Sequence, residues 1–259
     1  MNKLTKPPLS FRVDRRKYKN QINPYKIIMD NYNDNDLIFK VIKSTGLIKE
    51  LSKSQCVLRS DYICRKILNL ISSKARSRQI KIFAIIGSSE ESAILMLSSL
   101  KLKAHQCICF EELSEEAIRK RFEIFEPDIV LYRKNIENKV KSLKDKGNEK
   151  GIPFMLVDLN NFESNKKANQ IPEIESLSYE SDENLFTLFT SGSTGLPKAI
   201  VHGVIPYLDY AKFSTEYFFG LRKNSIMFTA TDAGWINGHT YAFYGPLLIG
   251  SQSILCENQ

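Results

Sequence analysis

Hydroxyls, two glycines and one lysine crowd into a single stretch, Phe189-Thr190-Ser191-Gly192-Ser193-Thr194-Gly195-Leu196-Pro197-Lys198, directly behind the apolar run 185–189. These are the residue types that hold polyphosphate. Glycines let backbone N–H groups come close to phosphate oxygens, the hydroxyls add donors, and Lys198 adds a mobile positive charge. The spacing is not that of a Walker loop. Leu196-Pro197 separates Gly195 from Lys198, and Pro197 keeps the loop from running straight into a helix. A Ser/Gly-rich connector with no phosphate role has a similar composition, but the strand in front and the lysine behind favour the phosphate reading.

A second stretch combines an indole, an amide and an imidazole around glycines: Gly234-Trp235-Ile236-Asn237-Gly238-His239-Thr240-Tyr241, followed by Ala242-Phe243-Tyr244-Gly245-Pro246-Leu247. The plain alternative for Trp235 is a core aromatic beside a Gly-rich turn. His202 and His239 read as structural, and His105 as exposed. Three histidines are too few and too scattered for a metal site. Five cysteines, Cys56, Cys64, Cys107, Cys109 and Cys256, have neither metal-ligand spacing nor an even number for pairing, so reduced and mostly buried thiols are expected. Cys107 and Cys109 should share one face of a short strand.

The elements that position these residues alternate as βαβ units do. The spacing predicts a helix over 54–73, a buried strand over 80–86, a helix over 90–100 and a strand over 106–110. A helix over 114–125 with Ser114 as N-cap and a strand over 128–132 follow. Next come a charged helix and turn over 134–150 and a strand over 154–157. Residues 160–182 are polar and aperiodic, the best linker candidate. Beyond them lie strands over 185–189 and 199–202, a helix over 207–219, a strand over 226–229, the Trp235 loop, a helix through Leu248 and a strand over 251–256. The strands over 80–86, 106–110 and 128–132 should be parallel, since the segments between them have crossover length. Residues 185–259 should add a second sheet region.

Composition is that of a globular α/β protein, with 42% hydrophobic and 25% charged residues in 259. The net charge of +8 is compatible with anionic ligands or a nucleic-acid surface, but the charges are spread out and no recognition motif accompanies them, so a solvated Lys-rich surface is expected. No apolar run reaches membrane-spanning length and there is no secretory signal, so the expected location is cytoplasmic, without nucleic-acid or membrane partners. Residues 1–29 hold eight Lys/Arg against the single Asp14. An organelle presequence is one reading; Pro7-Pro8 and the lack of an amphipathic stripe favour an irregular arm over the domain surface.

The Thr190–Lys198 string resembles the signature of the AMP-forming adenylating enzymes, which include acyl-CoA synthetases, luciferases and peptide-synthetase adenylation domains. The GW-x-x-GH-x-Y segment leading into Tyr244-Gly245-Pro246-Leu247 is similar to the acetyl-CoA synthetase branch, and Ala199-Ile200-Val201-His202 fits its short-chain members. The resemblance runs from about Leu185 to Glu257, and more weakly from about Leu37 to Tyr132. It implies an α/β fold, the N-terminal part of the synthetase large domain, with mainly parallel sheets flanked by helices and incomplete. Its divisions would be an arm over 1–36, a first α/β subdomain over 37–159, a linker over 160–182, and the phosphate-loop and acyl-pocket part over 183–259.

The implied chemistry is carboxylate attack on the α-phosphate of Mg-ATP to give an acyl-adenylate, followed by displacement of AMP by coenzyme A. Thr190, Ser191, Gly192, Ser193, Thr194, Gly195 and Lys198 would hold the β- and γ-phosphates. Trp235, Ile236, Asn237, Gly238 and His239 match the acyl pocket, sized for acetate or propionate. ATP, Mg²⁺ and coenzyme A are the implied ligands. Family parts that follow Gln259 in full-length members, the adenine, ribose and catalytic-lysine segments, would have to come from elsewhere, for example a separate C-terminal half. A non-catalytic remnant that binds nucleotide or a partner chain is the alternative. One departure concerns coenzyme A: the Gly-rich turn expected after Phe110 is Glu111-Glu112-Leu113, and the Arg-Gly-Gly-Lys type segment is Arg133-Lys134-Asn135-Ile136. Acidic side chains there would repel a polyanion.

Overall fold

The structure, a computed structural model, describes residues 21–159, 162, 172–190 and 196–257. Strand β1 (Gln21–Ile22) leads to helix α1 (Pro24–Met29), where the Asn23 side chain accepts from the Lys26 N–H and Pro24 sits in the first turn. This helix lies within the stretch read as an irregular arm. Burial of Tyr25, Ile28 and Met29 in the core fixes it. The hairpin of β2 (Leu37–Ile42) and β3 (Ile48–Ser52) follows. Helix α2 (Lys53–Leu70) then starts in a reciprocal cap, Ser52 Oγ accepting from the Gln55 N–H while Gln55 Oε1 accepts from the Ser52 N–H.

A short helix α3 (Ser73–Arg76) precedes the alternating part: β4 (Lys81–Ile85), α4 (Glu90–Lys101), β5 (His105–Cys109), α5 (Glu115–Phe125), β6 (Ile129–Tyr132), α6 (Lys141–Glu149) and β7 (Phe154–Leu156). Ser114 caps α5 as expected, accepting from the Ala117 N–H at 3.2 Å. The charged helix and turn over 134–150 consist of a 3₁₀ turn, Lys134–Ile136, followed by α6. The C-terminal elements are β8 (Tyr179–Glu180), β9 (Asn184–Thr190), β10 (Lys198–Gly203), α7 (Val204–Phe218), β11 (Ile226–Thr229), a π-helical stretch Gly238–Tyr244, α8 (Gly245–Ile249) and β12 (Gln252–Cys256).

Two main sheets result. One has the order β10-β9-β5-β4-β6-β7, parallel throughout except for the edge strand β10. The other has the order β11-β12-β2-β3, with only β3 antiparallel. Strands β9 and β10 extend the first sheet rather than adding one of their own, while β12 pairs with β2 from the chain's start. Helix α4 is buried along its whole length, and its Ile94, Leu95 and Leu97 share one core with Ile82 and Ala84 of the first sheet and Phe39 and Val41 of the second. The other face of the first sheet, Phe83, Ile85, Cys107, Cys109 and Val130, packs against Ile118 and Phe122 of α5 and Leu143 of α6. Burial on both faces is why these strands read as unbroken apolar runs. All five cysteines are free, four of them buried. Among the described residues no helix is long and apolar enough to cross a membrane.

Candidate functional site

In the β9–β10 hairpin Lys198 stands opposite Thr190, and both are exposed. Antiparallel pairing therefore holds the two ends of the hydroxyl- and glycine-rich loop side by side, at the C-terminal end of β9. Ser191, Gly192, Ser193, Thr194 and Gly195 lie outside the described residues, which leaves Thr190 and Lys198 as the loop's described anchors.

Four register steps inward from the hairpin mouth, the hairpin meets the second stretch. His202 faces Phe186 across the strands, their rings stacked at 4.5 Å between centroids. The ring of His239 approaches the same Phe186 to 4.2 Å, and Tyr207 of α7 meets it edge-on at 4.6 Å. Phe186 is thus the joint between the loop-bearing strand and the Trp235–His239 segment. Aromatic pairs of this geometry add to what burial alone supplies.

The Trp235 turn is built on Asp232. Its Oδ1 accepts from the Gly234 N–H at 2.6 Å, and its Oδ2 from the Ser88 N–H at 3.2 Å, which ties the turn to the loop after β4. A Cβ on Gly238 would stand 2.1 Å from the Asp232 carbonyl oxygen, so the turn closes only around glycine. Trp235 is 60% exposed and leans on Phe110, with 5.2 Å between ring centroids, and Ile236 is 38% exposed. Asn237 is exposed as well, whereas Gly238 and His239 are buried. The expected acyl-pocket residues thus divide into an outward trio, Trp235, Ile236 and Asn237, and an inward pair.

His239 is fully enclosed. Its Nδ1 lies 3.2 Å from the Trp235 carbonyl, which makes Nδ1 the protonated nitrogen. Burial pushes its pKa down to about 3, so the ring is neutral at physiological pH. The chain then winds as a π-helix. The Gly245 N–H donates to the Thr240 carbonyl five residues back, and a Cβ on Gly245 would stand 2.0 Å from Thr215 Oγ1 of α7. Such wide turns are frequent at functional sites. Thr240 Oγ1 is held here by the Ile236 carbonyl at 2.8 Å and the Tyr207 hydroxyl at 2.5 Å.

His105, expected to be exposed, is buried. Its Nε2 bonds Thr187 Oγ1 at 2.7 Å across to β9, and burial, with Lys81 adding to it, brings its pKa down to about 4. His202 is half-buried and its pKa is lowered by burial. Several participants carry no sequence signal of their own. Phe186 reads as one more apolar strand residue, and Phe110 as the end of another strand. Asp232 is recognisable only as an acidic residue two positions ahead of a glycine, a common turn pattern.

A separate crevice of about 480 Å³ opens at the C-terminal ends of β4, β5 and β6. Arg133 is its central cation, with Nη2 2.6 Å from Glu257, Nη1 3.5 Å from Glu111 and Nε 3.8 Å from Glu91. Burial works against the charge on Arg133, but the three carboxylates outweigh it and its pKa is raised. An arginine so engaged is not disposed to receive the phosphates of coenzyme A, and the residues present do not fit that group. Among the described residues no group of three or more His, Cys, Asp or Glu is arranged to hold a metal ion.

Comparison with known proteins matches residues 76–259 to the family described as AMP-binding enzyme. An acetyl-coenzyme A synthetase of Helicobacter pylori (strain G27) is 28% identical over 270 aligned residues, covering 96% of this chain and 38% of that protein. Acetyl-coenzyme A synthetase 2 of Candida albicans is 53% identical over 81 residues, 31% of this chain and 12% of that one. Among solved structures, a Brucella canis acyl-CoA synthetase superposes with a TM-score of 0.77 at 20% identity, covering 92% of this chain and 44% of the other, which shows a shared fold. The chain spans less than half the length of each of these relatives.

Proposed function

The chain belongs to the AMP-binding enzyme family, and on that premise we propose that it supplies the phosphate-holding hairpin and the carboxylate-facing wall for adenylation of a short carboxylic acid such as acetate or propionate. The observation that carries the reading is the direct packing of His239 on Phe186, which couples the segment behind Trp235 to the strand that ends in the hydroxyl-rich loop. In the proposed reaction ATP arrives with Mg²⁺, whose ligands would include the phosphates themselves. Lys198 and Thr190 flank the β- and γ-phosphates and stabilise the charge that builds as pyrophosphate departs. Trp235, Ile236 and Asn237 border the acid and limit its length. A carboxylate is already a nucleophile, so positioning and charge stabilisation, not a protein nucleophile, are what the residues need to supply.

The proposal is limited to this first half-reaction, because the crevice around Arg133 does not fit a phosphorylated acceptor. Exposed Leu196, Ile200 and Val201 on and beside β10, with Ile226 and Phe228 on β11, support a further reading: a complementary polypeptide covers these edges when turnover occurs. Acetate-dependent exchange of pyrophosphate into ATP is the test, paired with titration of Mg-ATP against the fluorescence of Trp235, the sole tryptophan of the chain. Exchange, by the chain alone or with a complementary polypeptide, supports adenylation. Binding of Mg-ATP without exchange in either setting leaves phosphate holding as the function, and absence of both overturns the proposal.

A further inference from the structure

The chain passes from β4 to β5 on one side and then crosses back over β4 to β6 on the other, so the crevice at their C-terminal ends lies where an open parallel sheet ordinarily receives a ligand. The group that would attract a phosphate there is already taken. Arg133 is held from three directions, by Glu91 at the start of α4, by Glu111 just past β5 and by Glu257 just past β12. Glu111 is itself fixed, one oxygen accepting from the Gly87 N–H at 3.0 Å and the other from Asn135 Nδ2 at 2.5 Å. Two neighbouring cations are committed too, while Lys134 also lines the crevice. Lys139 Nζ donates to the Glu111 carbonyl at 2.7 Å, and Lys43 pairs with Glu257 at 3.6 Å. Glu112 and Asp158 add two further carboxylates to the lining.

We propose that Glu111 and Glu257 serve as a built-in substitute for phosphate on Arg133, so that the crevice rejects the phosphorylated nucleotide of coenzyme A and admits only an acyl acceptor that carries no phosphate there. The proposal rests on the adenylating reading for there being an acceptor at all; the charge arrangement stands without it. A phosphate entering beside Arg133 would meet fixed carboxylates in a partly desolvated site, where like charges repel strongly.

Calorimetric titration of the chain with adenosine 3′,5′-bisphosphate, the nucleotide end of coenzyme A, tests it. Wild type should give no saturable binding at low millimolar ligand. The double substitution Glu111→Gln with Glu257→Gln should tighten binding by at least about 100-fold, and adding Arg133→Ala should abolish the gain. Glu257→Gln alone, with an expected gain of about tenfold, keeps the test open if the double variant misfolds. Tight binding to wild type that Arg133→Ala removes would overturn the proposal, as would the absence of any gain in folded variants. Mg-ATP binding is read separately through Trp235. Its loss would sink the adenylating reading while leaving the bisphosphate result standing.

Discussion

His239 and Phe186 lie in ring contact, tilted by 33° with 4.2 Å between centroids, although 53 positions separate them in the chain. One ring belongs to the strand that ends in the phosphate-type loop and the other to the turn that presents Trp235. Movement of either segment is therefore transmitted to the other through packing.

Truncating the joint should loosen both halves. Phe186→Ala removes a fully buried ring that also meets His202 and Tyr207, and should cost about 3–5 kcal/mol of stability by urea titration. The emission of Trp235, linked to Phe186 through His239, should shift at denaturant concentrations where wild type is still native.

Gly238→Ala should disturb the Trp235 turn with little change in secondary structure. The added Cβ would meet backbone, the Asp232 carbonyl at 2.1 Å, which cannot rotate away as a side chain can. A loss of about 1–3 kcal/mol is expected, together with an altered Trp235 spectrum and an unchanged far-ultraviolet spectrum.

Stability should fall as acid is added through the histidine range. His239 and His105 have folded pKa values of about 3 and about 4, below the unfolded value of about 6.5. Between these values the unfolded chain binds protons that the folded chain does not, so unfolding free energy rises with pH, by up to about 1.4 kcal/mol per pH unit for each histidine. Both contribute from about pH 6.5 down to 4, and His239 alone below that. Urea titrations across this range should show a flatter slope for His105→Asn, and an unchanged slope there would contradict the assignment.

Lys198→Ala should weaken Mg-ATP binding by about 10- to 100-fold, the usual weight of a hydrogen bond to a charged group. Lys198 is exposed at the start of β10, so the substitution should leave the unfolding midpoint almost unchanged. Equal affinity in the variant would remove Lys198 from the site.

The open edge of the first sheet should make the purified chain self-associate. Val201 and Ile200 are exposed on β10, and Val201→Lys places a charge on that edge. Sedimentation should detect concentration-dependent association in wild type and a shift toward monomer in the variant.

Much of the architecture is legible in the sequence because its causes are local. Continuous apolar runs mark β4, β5 and β6, and Ser114 announces α5. What escapes reading depends on distant partners. His105 carries no mark of burial until Thr187 is known to lie beside it, 82 positions on. The pairing of β3 is concealed by the polar Ile48–Ser52 string, and β2 shows its role only through β12. The π-helical turn is hidden for another reason: Gly238–Tyr244 has helical composition, and its wide winding follows from the closeness of α7 at Gly245. At the candidate site, the phosphate-type string and the Trp235 turn announce themselves by residue type, whereas Phe186 does not.

The alignment of β2 with β12, Ser253 beside Phe39, has a temporal meaning as well. During synthesis the residues of β2 leave the ribosome more than two hundred codons before the strand that will flank them. At about 5–20 residues per second, that wait is on the order of 10–40 s. Throughout it the β2–β3 hairpin carries an open edge, with Phe39 and Val41 lacking their final cover. The nascent chain is then most exposed to mispairing, and a chaperone that shields residues 37–52 until β12 emerges would raise the yield of native protein more than one acting after release.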